Sequence, residues 1–306
     1  MLTTFQPCTL YYVNEAQSSY IQYLQSLIDK HVIDIILNLK QIEGKFNQKR
    51  LCQLSEESPG TILLLDDKNH LSLLSQGLSA APEWDKLQRR VVGAGRKSEL
   101  LLKATKLTEN SVIIDATAGF GHDSLILAST GAQVIMLEQQ PVMALLLLAE
   151  QQRMSQQPNW QKLMARLHII NTDALSYFSD FSSHRETRAL NPIDFGIDTA
   201  TDIDVVYLDP MFPIDSYESS KTGKGAKVGK HMQALHHLAH PPTFIEEEQL
   251  LKSALEMVST NSNTNISNNT KGRVIVKRPS QAAFFALQSP DESWHNGAVR
   301  FDGYFT

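Results

Sequence analysis

SVIIDATAGFGHDSLILASTG, residues 111–131, is the stretch whose reading decides the fold. A β-branched run, SVIIDATAG (111–119), ends in a turn of small residues. HDSLILAST (122–130) then reads as a helix, and Gly131 suits its C-terminal cap. The same rhythm continues downstream. AQVIMLE (132–138) is a second strand, and PVMALLLLAEQQRM (141–154) a helix with proline in its first turn. RLHIINTDA (166–174), DIDVVYLDP (202–210) and GRVIVKRP (272–279) are further strands, and RFDGYF (300–305) a terminal one. FIEEEQLLKSALEMVS (244–259) is the helix before the fifth strand. Strands separated by helices make βαβ units, hence an α/β fold with a parallel sheet covered on both faces. Such sheets bind ligands at the carboxyl ends of their strands.

Upstream the pattern is less regular. A helix candidate lies near 18–40, a short strand, TILLLD, at 61–66, and a glycine-hinged loop leads into a helix over 93–107. The boundary falls near residue 90, giving a small unit over 1–90 and a larger one over 91–306. Two polar segments, 182–201 and 260–271, break the rhythm and read as surface insertions without chemistry. The composition, 42% hydrophobic and 20% charged, is that of a globular protein. A net charge of −5 argues against non-specific coating of nucleic acid and leaves room for a local basic patch. Cys8 and Cys52 have no metal-ligand spacing, so neither a disulfide framework nor structural zinc is expected. The N-terminus lacks a secretion-signal pattern, and the aliphatic run at 144–149 is far short of the ~20 residues of a membrane span. A reducing, cytoplasmic location is the expectation.

Gly119 and Gly121 lie in the first strand-to-helix turn, where they allow a ligand close to the backbone. Glu138 ends the second strand, where a carboxylate accepts from ribose hydroxyls. The dinucleotide fingerprint is incomplete, because Ser124 stands where its third glycine belongs. A ligand with a nucleoside at one end and an amino acid at the other needs no third glycine. S-adenosylmethionine is such a ligand, and its sulfonium suits Asp115, Asp123 and Asp209. Asp173, past the third strand, is placed to meet the adenine amine.

VVYLDPMFP (205–213) is a buried strand stopped by Pro210 and Pro213. A ring-conjugated exocyclic amine is a poor nucleophile, and acceptors aimed at its N–H groups increase its nucleophilicity. The Asp209 carboxylate is one acceptor and the Pro210 carbonyl a second. Phe212 offers a face for the base, stacking being worth about 1–3 kcal/mol per base. Positioning and electrostatics suffice for an in-line transfer.

DATAGFGHD, MLEQQPVMALLL, VVYLDPMFP and VIVKRP together make the chain resemble the ribosomal small subunit methyltransferase J family over about residues 90–306. The resemblance implies a class I methyltransferase Rossmann-like sheet, mostly parallel with an antiparallel C-terminal strand, plus a small N-terminal α/β domain. It implies methylation of the exocyclic N2 of a guanine in 16S ribosomal RNA, with S-adenosylmethionine as cofactor, S-adenosylhomocysteine as product and no metal. It implies 16S rRNA or the small ribosomal subunit as partner; the sequence itself points to no membrane and no obligate protein partner. The family's cofactor contacts carry over to His122 and Asp123, Glu138 and Gln139, Asp173 and Ala174, and Asp209. His122 and Gln139 stand where the family has arginine, and Asp173-Ala174 where it has two serines. Met211 departs from the broader Asp/Asn-Pro-Pro-Tyr/Phe pattern, yet carboxylate, first proline and aromatic remain.

SSKTGKGAKVGKH (219–231) carries Lys221, Lys224, Lys227 and Lys230 with no acid, suited to phosphates beside an active site. Lys277 and Arg278, ending the fifth strand, are expected on the same RNA-facing rim, with Arg96, Lys97 and Lys103 before the cradle. His231, His236, His237 and His240 lack a carboxylate companion and read as helix surface, not a metal site. The competing readings are methylation of another exocyclic amine of RNA or DNA, a nicotinamide-dependent oxidoreductase, and a non-catalytic rRNA-binding assembly factor. Ser124 and the lack of a proton relay disfavour the oxidoreductase, and the intact Asp209-Pro210 pair disfavours the assembly factor.

Overall fold

The computed structural model describes residues 6–58, 60–95, 98–187, 198, 201–212, 238–259 and 272–306, with the backbone alone for 185–187. A first sheet is built by β1 (Gln6–Tyr12), β2 (Ile35–Gln41), β3 (Thr61–Leu65), β4 (Leu71–Ser75) and β5 (Leu78–Ala80), in the order β2-β1-β3-β4-β5. Helices α1 (Ser18–Lys30) and α2 (Gln48–Glu57) lie between these strands in sequence. The helix expected over 18–40 therefore stops at Lys30. His31 N–H and Ile33 N–H reach back to the Leu27 and Ile28 carbonyls, with Val32 in the left-handed region (φ 51°). The β-branched residues beyond pair with β1 and become β2.

Short helices α3 (Gln88–Gly93) and α4 (Leu100–Thr105) lead into the alternating half of the chain. There follow β6 (Val112–Asp115), α5 (His122–Ala128), β7 (Gln133–Glu138), α6 (Pro141–Ser155), α7 (Gln161–Met164), β8 (Leu167–Asn171) and α8 (Ala174–Thr187). The chain closes with β9 (Val205–Leu208), α9 (Phe244–Ser259), β10 (Arg273–Pro279), β11 (Glu292–His295) and β12 (Val299–Phe305). These strands form one sheet, β11-β12-β10-β9-β6-β7-β8. Strands β6 to β10 run parallel, and the antiparallel hairpin β11–β12 sits beside β10. Strand β11 had no sequence signal, its four residues being mostly exposed. Helix α8 extends to Thr187, so the segment read as an insertion from 182 begins helical.

From β6 the sheet grows outward through β7 and β8, then restarts on the other side with β9 and β10. The reversal between β6 and β9 is a topological switch point, where open α/β sheets place their ligand crevice. Alternation along the strands sorts the side chains. Val112, Ile114, Val206, Leu208, Val274 and Val276 face one apolar cluster, and Ile113, Val205, Tyr207 and Ile275 the other. Continuing that period of two, Asp115, Asp209 and Lys277 fall on the Tyr207 side, toward α5.

Helix α6 is buried at every position from Pro141 to Glu150, because it packs against the large sheet on one side and β4 and α1 on the other. One apolar cluster thus holds Leu63 and Leu73 of the first sheet together with Leu145, Met136 and Tyr207. No described helix is long and apolar enough to cross a membrane.

Candidate active site

The loop after β6 is stitched to β7. Ala118 N–H donates to the Leu137 carbonyl (3.1 Å), and Gly119 N–H to Glu138 Oε2 (3.0 Å). Glu138 Oε1 accepts from Gln140 N–H (2.7 Å), so each carboxylate oxygen keeps capacity for a further donor. Gly119 and Gly121 have φ of 54° and 72°. A Cβ on Gly121 would stand 2.8 Å from Met136 Cε and 2.9 Å from Trp84 Cζ2, so both conformation and space demand glycine.

Behind this loop, Asp115 Oδ2 accepts from Ser124 Oγ (2.5 Å) and Oδ1 from Thr117 N–H (3.2 Å). Burial pushes the Asp115 and Glu138 carboxyls up to about 7 each, their hydrogen bonds opposing the shift. Ser124, read from sequence as the missing third glycine, is the residue that holds Asp115.

Two sequence-remote residues brace the loop from the N-terminal side. Trp84 is fully buried and donates its indole N–H to the Phe120 carbonyl (2.8 Å), while its backbone N–H donates to Glu150 Oε1 (2.9 Å). Arg153 holds Glu150 and Asp85 together. His122 Nε2 lies 2.8 Å from the Pro82 carbonyl. That oxygen can only accept, so Nε2 carries the ring proton; burial lowers the ring's basicity. His122 therefore ties Pro82 to the cradle.

At the end of β9, Asp209 N–H donates to Thr117 Oγ1 (2.6 Å), locking the proline corner onto the cradle loop. Lys277 Nζ sits 2.7 Å from Asp123 Oδ2 and 2.8 Å from Asp209 Oδ2, and the Tyr207 hydroxyl donates to the same Asp123 oxygen (2.7 Å). Arg90, paired with Glu99, adds a longer contact to Asp123 (3.8 Å). Burial works against ionised Asp123, but Lys277 and Tyr207 outweigh it and hold the carboxyl below its ordinary range. Burial and the neighbouring Asp123 leave Asp209 raised, with Lys277 opposing.

Several sequence expectations are corrected here. Lys277 does not face outward: its ammonium is spent on two carboxylates inside the site. Arg278 is 8% exposed, donates to Glu247 Oε1 (3.0 Å) and to the Ala283 carbonyl (3.1 Å), and has its guanidinium over the Phe212 and Phe285 rings (5.0 and 5.5 Å). Phe212, expected to present an open stacking face, is buried with that guanidinium over its ring, because cation and aromatic desolvate each other. Asp173 caps α8, its Oδ1 accepting from Ser176 N–H (2.9 Å), and Ala174 begins that helix. Gln139 is exposed beside Glu138, and Pro210 is buried. Lys221, Lys224, Lys227 and Lys230 lie outside the described residues, as do Arg96, Lys97, His231, His236 and His237; Lys103 and His240 are exposed. Among the described residues no group of three His, Cys, Asp or Glu could hold a metal.

Sequence reading missed Thr117, Tyr207, Trp84 and the inward role of Lys277. The period of two along VVYLD puts Tyr207 and Asp209 on one face, but the side on which Lys277 falls is set by the pairing of β9 with β10, and nothing local named the partners.

A family model described as putative SAM-dependent methyltransferase matches residues 53–306. A ribosomal RNA small subunit methyltransferase J from Psychrobacter cryohalolentis is 64% identical over 305 residues, covering 100% of this chain and 98% of the relative. The chain belongs to that methyltransferase J family. A relative of the same name from Acinetobacter baylyi is 32% identical, with 98% of each chain covered. The crystal structure of a SAM-dependent methyltransferase from Neisseria gonorrhoeae shares the fold, with a TM-score of 0.62 at 23% identity, over 97% of this chain and 95% of that one.

The family's cofactor is S-adenosylmethionine, and the residues present fit it. Gly119 and Gly121 turn the loop through positive φ, Glu138 retains acceptor capacity for hydroxyls, and Asp123 and Asp209 lie at the carboxyl end of the sheet beside that loop.

Proposed function

We propose that this chain methylates the exocyclic N2 of one guanine in 16S ribosomal RNA. The observation that carries the reading is Asp209, pinned by Thr117 at the switch point beside the glycine cradle. The relatives, ribosomal RNA small subunit methyltransferases J, supply the RNA class. Bound S-adenosylmethionine supplies an electrophilic methyl group. The protein's share is to aim acceptors, the Asp209 carboxylate and the Pro210 carbonyl, at the two N–H groups of the amine. Stacked Phe212 and Arg278 stiffen the corner from behind. Asp115, Asp123, Gly119, Gly121, Glu138 and Gln139 form the cofactor side, with Asp173 and Ala174 at its adenine end. Residues 91–306 carry the chemistry, while 1–90 brace the cradle through Pro82 and Trp84.

The test is transfer of labelled methyl to small-subunit RNA, free or assembled, followed by mass mapping of the modified nucleotide. A mapped N2-methylguanine is expected. Methylation of a different amine would replace the substrate, and none at all would favour a non-catalytic assembly factor.

Two predictions follow from the charges. In the ligand-free protein, Asp115 and Glu138 bind protons more tightly folded than unfolded. Their contribution to stability is complete below about pH 4 and is lost as pH rises through about 7. Ribose hydroxyls donate to ionised Glu138, so the cofactor's thermal shift should be larger at pH 8 than at pH 6. An equal shift at both would remove Glu138 from ribose binding.

The second concerns Lys221, Lys224, Lys227 and Lys230. Changing all four to Gln should weaken RNA binding and flatten the plot of log affinity against log salt by up to about 3. An unchanged slope would remove this stretch from the RNA site.

A further inference from the structure

We propose that Lys277 is a positioning residue for methyl transfer, holding Asp209 as a carboxylate with Oδ2 engaged and Oδ1 left for the target amine. This rests on the reading of Asp209 as the amine's acceptor.

The register makes the contact. Val276 pairs with Leu208, so Lys277 and Asp209 are the next residues of adjacent parallel strands, on the face toward α5. The ammonium has three donors and gives two of them to Asp209 and Asp123. Among the described residues, Asp209 Oδ1 accepts no hydrogen bond. Thr117 fixes the backbone and Lys277 fixes the carboxylate plane, so Oδ1 is the remaining acceptor.

In the transfer, the N2 lone pair forms the N–C bond as the C–S bond breaks. The sulfur keeps that electron pair as a neutral thioether, and the positive charge passes to nitrogen. One N2 proton then moves to Asp209 Oδ1, leaving a neutral methylamine and a carboxyl that releases its proton to water. Lys277 stays an ammonium throughout. Burial opposes its charge, but Asp209 and Asp123 outweigh that and hold it above the ordinary lysine range.

The groups facing Asp209 are Lys277 from β10, Asp123 from α5, Tyr207 from β9 and Asp115 from β6, with Arg90 of α3 reaching Asp123. Among them Lys277 is the cation in contact with Asp209. Its loss leaves Asp209 among carboxylates, and the carboxyl then keeps its proton to higher pH. Removing Asp123 instead takes away a repelling charge and acts in the opposite direction.

The test is the single-turnover rate against pH at saturating cofactor, in the full chain, for wild type, Lys277→Met, Lys277→Arg and Asp123→Asn. Lys277→Met should slow transfer at neutral pH about 10²-fold. It should also move the acid limb upward by at least about one unit, with cofactor affinity changed less than about tenfold. Lys277→Arg should restore the limb, and Asp123→Asn should move it below wild type. Should Lys277→Met fail to fold, Lys277→Arg with the wild-type limb and Asp123→Asn with a limb below it still decide. Unshifted limbs in Lys277→Met and Asp123→Asn, or a rate loss matched by an equal loss of cofactor affinity, would overturn the role of Lys277. A wild-type enzyme that methylates a different amine would overturn the substrate reading, and the limbs would then be measured on that amine.

Discussion

Asp209→Asn is expected to lower the single-turnover rate of methyl transfer by about 10²–10⁴-fold while leaving the protein folded. The substitution keeps volume and the backbone N–H that Thr117 holds. Lys277 retains Asp123 as a partner, so no buried ammonium is stranded. What is lost is the charged acceptor that draws electron density toward the amine and then receives its proton. An amide oxygen accepts more weakly, and an amide cannot take that proton at neutral pH. Cofactor affinity, measured by calorimetry, should change by less than about tenfold, or 1.4 kcal/mol. A variant retaining a near-wild-type rate would move the chemistry away from the proline corner altogether.

The largest effect on stability is expected at Trp84, far in sequence from the corner. Trp84→Ala empties a fully buried site between α6 and the glycine loop and should cost about 3–5 kcal/mol of unfolding free energy. Trp84→Phe keeps most of the ring but takes the indole donor from the Phe120 carbonyl, a loss of about 1–3 kcal/mol. That carbonyl belongs to the residue between Gly119 and Gly121. Trp84→Phe should therefore also weaken cofactor binding, by about tenfold, while the turnover of loaded enzyme changes little. Denaturant unfolding and calorimetry on the same preparation separate the two. Lost stability with unchanged affinity would reduce Trp84 to packing.

The parallel sheet was legible because a strand buried on both faces must be continuously apolar, and the helices between such strands carry their own turn and cap signals. The period of two puts Tyr207 and Asp209 on one face of their strand, and the prolines after Asp209 marked where β9 must end. The small-residue turn and the acidic ends of β6 and β7 marked the loop that β7 and β9 hold in place. These features are local: each depends on residues within one strand, turn or helix.

The pairing of charges was decided only by tertiary structure. Lys277 and Arg278 look alike in sequence as a basic strand end, yet alternation sends one toward Asp123 and Asp209 and the other over Phe212 and Phe285. Whether a cation faces RNA or a carboxylate depends on which strands lie side by side, and that is set by the order β10-β9-β6. The brace from Pro82 and Trp84 was hidden for the same reason, since α6 must first bury two opposite faces to bring those residues against the cradle. Local periodicity is written in the chain, whereas desolvation and ion pairing arise between segments up to 154 residues apart and exist only once the sheet has closed.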